Sequence, residues 1–120
     1  RRWAQPPAVS AASALMVDLD SEQILYALHL HEPLPPASTA KIMTALLTLE
    51  RGNLDDLVTV SAKAAGTNGS RMGLVPGETV TVQDLLYGLL LPSGNDAAEA
   101  LAEYVGGSEA KFVELMNETA

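Results

Sequence analysis

The chain has 120 residues, 48% of them hydrophobic, and its seven basic and fifteen acidic side chains give a formal net charge of −8. This length and composition predict one globular domain or part of one. The acidic balance argues against binding to nucleic acid or to an anionic membrane surface, since both select basic patches. Cysteine is absent, which excludes disulfides and thiolate metal sites. We expect neither a cofactor nor a bound metal.

The N-terminal region is predicted to be a flexible lead-in over residues 1–11, followed by a β-hairpin. The lead-in is rich in proline and alanine and lacks the apolar core of a signal peptide, so we expect any leader to have been removed already. Two apolar runs, 14–19 and 23–28, flank a short polar segment. This pattern predicts two strands joined by a tight turn. No apolar run is long enough to predict a membrane span.

A buried helix is predicted over residues 38–51. The prolines of segment 33–36 force an extended approach, and Ser38 or Thr39 is suited to cap the helix. The body is apolar on nearly every side, which predicts burial all round. Lys41 is the exception, because a cation in the first turn opposes the helix dipole. Such a violation of local rules is typical of a functional site.

Short strands and further helices are predicted after this helix. Strands that precede helices, rather than alternate with them, favour an α+β fold. The predicted elements are a strand at 57–61, a helical turn ending at Gly66, a strand after the turn at Pro76 and Gly77, a helix opened by Thr81 with Asp84 and stopped by Pro92, a helix over about 96–105 and a last helix capped by Ser108.

Ser38 and Lys41 are candidates for a nucleophile and its base. Their three-residue spacing puts both on one face of a helix, one turn apart. A serine hydroxyl needs a neighbouring base before it attacks a carbonyl, and a lysine serves as that base only in its neutral form. An apolar setting and the positive helix end both favour the neutral amine. Backbone N–H groups at the same helix end can help stabilise an oxyanion.

The same spacing recurs at Ser108 and Lys111, so spacing alone is weak evidence. There a Gly-Gly pair precedes the serine and Glu109 lies in the first helical turn, and Ser108 is interpreted as an ordinary N-cap. Only the surroundings separate the two serine–lysine pairs.

A second polar pair, Ser93 and Asn95, lies in the loop Pro-Ser-Gly-Asn-Asp-Ala at 92–97. The two side chains present a hydroxyl and an amide to the same side, where they can relay a proton and hold a peptide-like substrate. The same residue types are common in a turn that caps a helix, and taken alone the loop favours that structural role.

The two pairs together, STAK at 38–41 and SGN at 93–95, resemble the motif set of the penicillin-binding serine transferases. The longer segments ALMVDLDSEQILYAL, EPLPPASTAKIMTALLTLE, GSRMGLVPGETVTVQDLLYGLLLPSGNDAAEALAEYVGG and FVELMN are similar to the D-alanyl-D-alanine carboxypeptidases, the low-molecular-weight penicillin-binding proteins. Glycine in the middle of SGN, where β-lactamases typically carry aspartate, favours the carboxypeptidase branch.

The resemblance implies an extracytoplasmic enzyme that removes the terminal D-alanine from peptidoglycan stem peptides ending in D-Ala-D-Ala and that is acylated by β-lactams. By the same resemblance, Ser38 forms the acyl-enzyme with the penultimate D-alanine, and Lys41 takes its proton. Ser93 would pass a proton towards the leaving D-alanine. Asn95 would hydrogen-bond the substrate and help to fix Lys41.

One family motif, Lys-Thr-Gly on a sheet strand, is absent, since none of the three lysines precedes Thr-Gly. In the family this downstream strand recognises the substrate carboxylate and supplies a second oxyanion donor. We therefore expect residues 12–120 to be the N-terminal portion of one β-lactamase/transpeptidase-like catalytic domain, with a hairpin, a helical cluster and an incomplete sheet. Such a chain would be poorly active alone, because losing an oxyanion donor costs ~10²- to 10³-fold, and would pair with the rest of the domain or with another chain.

Three other functions stay open at this point. The first is a non-catalytic module that binds peptidoglycan or β-lactams. The second is a β-lactamase, which requires a deacylation base and the downstream motif. The third is a helical interaction domain in which Ser38 is only a cap.

The remaining polar residues fit ordinary roles. Glu99 and Glu103 are predicted to lie on a solvated helix face. The acidic residues of segment 18–22 are interpreted as a hairpin turn, because the glycine and distal glutamate of a calcium loop are missing. His29 and His31 lack the further ligands that a zinc site needs.

Overall fold

The computed structural model describes residues 5–120. The chain divides after Pro35 into two compact units. Part of the predicted lead-in, residues 1–4, lies outside the described residues. Residues 5–11 contain no helix or strand.

The first unit contains the predicted hairpin. Strand β1 (Ala14–Asp18) pairs antiparallel with β2 (Gln23–Leu28), and the register shifts between Met16 and Val17. In the connecting turn, Ser21 Oγ donates to Asp18 Oδ2 at 2.8 Å, and this bond lowers the pKa of Asp18. In the part of the chain that the structure describes, this sheet has two strands only. The hairpin prediction is confirmed.

The second unit is a cluster of helices beside a short antiparallel pair of strands, in which Val58 lies opposite Val80. Its elements are a 3₁₀ turn (Ala37–Thr39), α1 (Ala40–Arg51), β3 (Leu57–Thr59), α2 (Ala62–Ala65), β4 (Thr79–Thr81), α3 (Val82–Leu90), α4 (Asn95–Gly106) and α5 (Glu109–Thr119). The helices and strands lie close to their predicted positions, although the 3₁₀ turn was not predicted, and the α+β prediction is confirmed.

The starts of α3 and α5 follow the predicted capping. Thr81 Oγ1 accepts the Asp84 N–H at 3.0 Å, and Ser108 Oγ accepts the Lys111 N–H at 3.3 Å. Each hydroxyl satisfies a backbone donor that has no partner within the helix. Ser108 is therefore an N-cap, as the sequence predicted.

The predicted cap of α1 is wrong. The chain enters the helix through the 3₁₀ turn, so Thr39 already has helical dihedrals and makes no side-chain cap bond. Its hydroxyl donates instead to the Pro36 carbonyl. A capping side chain needs extended backbone at the cap position, and the early turn removes it.

The prediction that α1 is buried on all sides is also wrong for this chain. Leu47 is fully buried, and the neighbouring Thr48 is almost fully so. On the opposite face, Ile42 is 68% exposed and Leu49 is 59% exposed. The elements of the second unit that pack against α1 are α3, α4 and α5, and they cover one side of it.

The main core lies between α3, α4 and the β3–β4 pair. Large, fully buried aliphatic side chains dominate it: Val60, Val82, Leu85, Leu89 and Leu101. A smaller cluster joins Leu47 to Phe112. These contacts fix the start of α4 relative to the start of α1. The polar motif residues lie at these two helix starts.

Glu99 and Glu103 do not lie on a solvated face. The Glu99 side chain is 10% exposed and its Oε1 lies 2.5 Å from Lys63 Nζ, while Glu103 accepts from Ser61 Oγ at 2.9 Å. Lys63 also pairs with Glu109 at 2.5 Å, and the hydrogen bonds to Glu109 and Glu99 raise the pKa of Lys63. The α2 helix covers this face of α4. The spacing of residues within α4 alone cannot predict that contact.

Candidate active site

The four predicted site residues meet around the Lys41 amine. Nζ lies 3.3 Å from Ser38 Oγ, 3.0 Å from Ser93 Oγ and 2.7 Å from Asn95 Oδ1. Ser38 comes from the 3₁₀ turn and Lys41 from the first turn of α1, whereas Ser93 and Asn95 come from the junction of α3 and α4. The structure therefore brings together two motifs that are more than fifty residues apart in sequence.

The nucleophile candidate is open to solvent and its base candidate is sheltered. Ser38 is exposed, and Lys41 is half-buried. Both line a cleft of about 380 Å³ whose other walls include Thr44, Asn95 and Ala98. The cleft offers a substrate access to the Ser38 hydroxyl while the amine behind it stays largely among protein atoms.

The backbone on either side of the amine has unusual dihedrals. Ala37, which precedes Ser38, has φ of 50°, and Ser93 has φ of 56°. Non-glycine residues rarely adopt this left-handed region, and residues that do are concentrated at functional sites. Ser93 and the residue before Ser38 therefore adopt backbone conformations that the surrounding fold has to enforce.

The Ser-Gly-Asn turn admits only glycine at its centre. Gly94 N–H donates to the Gly88 carbonyl at 2.9 Å. A Cβ at position 94 would lie 2.7 Å from that same oxygen and 2.9 Å from Asp96 Oδ1. The glycine thus has a steric reason in this chain: it lets α3 and α4 approach closely enough to present Ser93 to Lys41.

The amide of Asn95 is oriented by backbone groups of a loop. Its Nδ2 donates to the Asn68 carbonyl at 2.7 Å, and its backbone N–H donates to the Ser70 carbonyl at 2.7 Å. A carbonyl oxygen only accepts, so the amide nitrogen faces Asn68 and the amide oxygen faces Lys41. Sequence reasoning missed Asn68 and Ser70, because each contributes a main-chain carbonyl that leaves no side-chain signal.

Asp96, also missed, is fully buried beside the site. Its Oδ1 accepts from the N–H groups of Met72 at 3.0 Å and Ala97 at 2.9 Å, and its Oδ2 accepts from those of Gly73 at 2.9 Å and Leu74 at 3.0 Å. Burial opposes ionisation of this carboxyl, yet the four backbone donors outweigh burial and hold its pKa below the ordinary value. An acid in a first helical turn is so common that nothing in the sequence pattern distinguishes Asp96.

Two negative findings concern residues 5–120. They contain no group of three histidine, cysteine, aspartate or glutamate side chains arranged to hold a metal ion. Within that same range, none of the helices combines the length and the apolarity that a bilayer crossing requires.

Comparison with known proteins identifies the family. The sequence matches the family described as D-alanyl-D-alanine carboxypeptidase over residues 1–120. The chain belongs to this family. The resemblance inferred from the sequence is therefore confirmed.

The relatives of this carboxypeptidase family chain are much longer than the chain itself. DacF of Bacillus subtilis is 43% identical over an alignment of 115 residues, which covers 92% of this chain and 30% of DacF. DacD of Escherichia coli is 39% identical, over 97% of this chain and 33% of DacD. The chain thus spans about a third of the length of these curated relatives.

Solved structures confirm the β-lactamase/transpeptidase-like fold of the family chain. Penicillin-binding protein 6B from Escherichia coli matches with a TM-score of 0.86 and 39% identity, over 97% of this chain and 40% of that one. A variant of the Streptomyces K15 DD-transpeptidase matches with a TM-score of 0.85 and 35% identity, over 95% of this chain and 48% of that one.

Proposed function

We propose that this chain is part of a serine-type D-Ala-D-Ala carboxypeptidase that works outside the cytoplasmic membrane. Its substrate is a peptidoglycan stem peptide ending in D-Ala-D-Ala, and β-lactams acylate Ser38. The observation that carries the proposal is the position of Lys41 Nζ within hydrogen-bond distance of Ser38, Ser93 and Asn95. Membership of the carboxypeptidase family supports the substrate class.

The three contacts of the amine suit a general base. A neutral amine carries two N–H bonds and one lone pair. The Asn95 amide oxygen only accepts and Ser93 Oγ is able to accept, so these two atoms take both N–H bonds. The lone pair is then left for the Ser38 hydroxyl at 3.3 Å. In this arrangement Nζ takes the Ser38 proton as Oγ attacks the penultimate D-alanine carbonyl carbon.

Release of D-alanine follows the same contacts in the other direction. Ser93 Oγ gives its proton to the leaving nitrogen while the protonated Lys41 amine, 3.0 Å away, returns a proton to Ser93. The C–N bond breaks, and the acyl-enzyme on Ser38 remains until water hydrolyses it. Asn95 Nδ2 has two hydrogens and donates one to Asn68, so the other is left for the substrate.

Part of the oxyanion binding belongs to the start of the 3₁₀ turn. The N–H of Thr39 donates to the Pro36 carbonyl at 3.2 Å, and that of Ala40 is directed back to the turn. We assign the oxyanion to the N–H of Ser38 itself. Backbone donors aimed at a developing oxyanion are a large term in acyl-transfer catalysis.

The proposal includes completion of the domain by a segment bearing Lys-Thr-Gly, from the same protein or from another chain. Residues 12–120 then form the N-terminal portion of one catalytic domain. Two observations support this: the chain spans 30% and 33% of two relatives, and α1 presents an exposed apolar face that includes Ile42 and Leu49. Residues 1–120 alone are accordingly expected to acylate ~10²- to 10³-fold more slowly than the completed domain.

Two measurements on the full-length protein test the function. A β-lactam is expected to add its mass to the peptide that contains Ser38, and a peptide ending in D-Ala-D-Ala is expected to lose one D-alanine. Acylation without release of D-alanine would indicate a binding module. Rapid β-lactam consumption without release of D-alanine would indicate a β-lactamase. Absence of both reactions would leave Ser38 as a structural residue and end the proposal.

A further inference from the structure

Asp96 takes no part in the proposed chemistry, although its position is unusual. Among residues 5–120 it is the one charged residue that is buried, with 0% of its surface exposed. Burying an ionised carboxylate is costly unless hydrogen bonds compensate. Here four backbone N–H groups supply them, and Arg71 Nε lies 3.9 Å from Oδ2. We expect a carboxylate that is fully buried and bound by four backbone N–H groups to have a specific role in the protein.

Three of the four donors belong to one loop, residues 68–74, which contains no helix or strand. Asp96 holds the C-terminal half of this loop through the N–H groups of Met72, Gly73 and Leu74. The N-terminal half of the same loop holds Asn95, through the carbonyls of Asn68 and Ser70. Asp96 and Asn95 are adjacent in sequence and hydrogen-bond to opposite ends of the loop.

We propose that Asp96 is a positioning residue for acyl transfer: its carboxylate fixes the 68–74 loop, and the loop fixes the Asn95 amide with its oxygen towards Lys41. This inference rests on the function proposed above. If the loop shifts, the Asn68 carbonyl no longer pins the Asn95 nitrogen. The amide is then free to rotate and to present N–H groups to an amine that needs an acceptor.

The isosteric variant Asp96→Asn tests the role of the carboxylate. An amide has one acceptor oxygen, so it serves one pair of backbone donors and turns its own NH₂ towards the other pair. We expect acylation of the full-length protein by a β-lactam to slow by ~10- to 100-fold, the range typical of a small misplacement in a catalytic site. An unchanged rate in a folded variant, judged by circular dichroism, would overturn the inference.

A double-mutant cycle separates positioning from a general structural role. If Asp96 acts through Asn95, then Asp96→Asn adds almost nothing to the slower acylation of Asn95→Ala, because the amide it positions is gone. If Asp96 only stabilises the fold, the two rate losses multiply instead, and the inference fails.

Gly69→Ala tests the same link from the loop and leaves Asp96 untouched, which covers the case in which Asp96→Asn does not fold. A Cβ at position 69 would lie 2.6 Å from Asn95 Nδ2, and the φ of Gly69 is 88°. The matched control is Gly77→Ala, since Gly77 has φ of 83° and open space around its Cβ. We expect slower acylation only for Gly69→Ala. Equal rates for the two glycine variants would count against the loop's role.

The outcomes also distinguish this inference from the function on which it rests. If the parent protein is not acylated, the proposed function fails and nothing remains to be positioned. If the parent is acylated and Asp96→Asn matches its rate, the positioning role alone fails. If the cycle is non-additive, both stand.

Discussion

Replacing Lys41 with methionine tests the base directly. Methionine keeps an unbranched apolar side chain but has no atom that accepts the Ser38 proton. General-base catalysis contributes typically ~10²- to 10⁴-fold, so we expect the acylation rate to fall by that factor. This loss is a rise of about 3–5 kcal/mol in the activation free energy. The change also leaves Ser93 Oγ and Asn95 Oδ1 each without a donor. At about 0.5–1.5 kcal/mol per bond, the free energy of unfolding falls by about 1–3 kcal/mol.

The assay is the rate at which a β-lactam adds its mass to the full-length protein, with unfolding in urea measured in parallel. Lys111→Met is a matched control within the same chain, because Lys111 has the same spacing from a serine but is exposed and lies in α5. Surface changes of this kind shift stability by about 0.5 kcal/mol or less, and we expect parental acylation. Parental acylation by folded Lys41→Met would refute the assignment of the base.

Three further predictions concern stability. Leu47→Ala should lower the free energy of unfolding in urea by about 2–5 kcal/mol, since Leu47 is fully buried; a loss below 1 kcal/mol would contradict its place in the core. Ser61→Ala should cost about 1 kcal/mol in the same assay, because Ser61 Oγ caps α2 by accepting the Ala64 N–H. The pKa of Asp96 is lowered on folding, so its contribution is present above the ordinary aspartate pKa of about 4 and is lost as pH falls through the folded value. Asp96→Asn should flatten the fall in unfolding free energy as pH drops below about 4, and an unchanged slope would contradict the shift.

The elements could be predicted because their signals are local. Turn residues separate β1 from β2, and Thr81 and Ser108 act within one turn of the helices that they cap. The prediction for the start of α1 was wrong because the feature that decides it leaves no such local signal. Whether a chain enters a helix through extended backbone or through a 3₁₀ turn depends on the geometry at Ala37, whose φ of 50° has no sequence signal in an alanine.

The site was predictable in two unequal parts. Helical spacing predicts that Ser38 and Lys41 are neighbours, and the structure gives 3.3 Å between Oγ and Nζ. Nothing in the spacing of residues brings Ser93 and Asn95 to the same amine. That expectation came from resemblance to a family, and the roles of these residues stay predictions. The partners of Glu99 and Asp96 could not be predicted, because both depend on segments that pack from elsewhere in the chain.

The long-range half of the site depends on the packing of α1 against α4. Lys41 lies in the first turn of α1 and Asn95 begins α4, so the interface between these helices sets the 2.7 Å distance between their polar atoms. Along this interface Thr44 is buried and Ala98 lines the same cleft, and side chains this small let the two helix backbones approach closely. The contacts that exclude water from the core therefore also place an acceptor against the amine. For this reason the residues that hold the α1–α4 interface and the 68–74 loop support the proposed chemistry, because they keep the motif residues in contact.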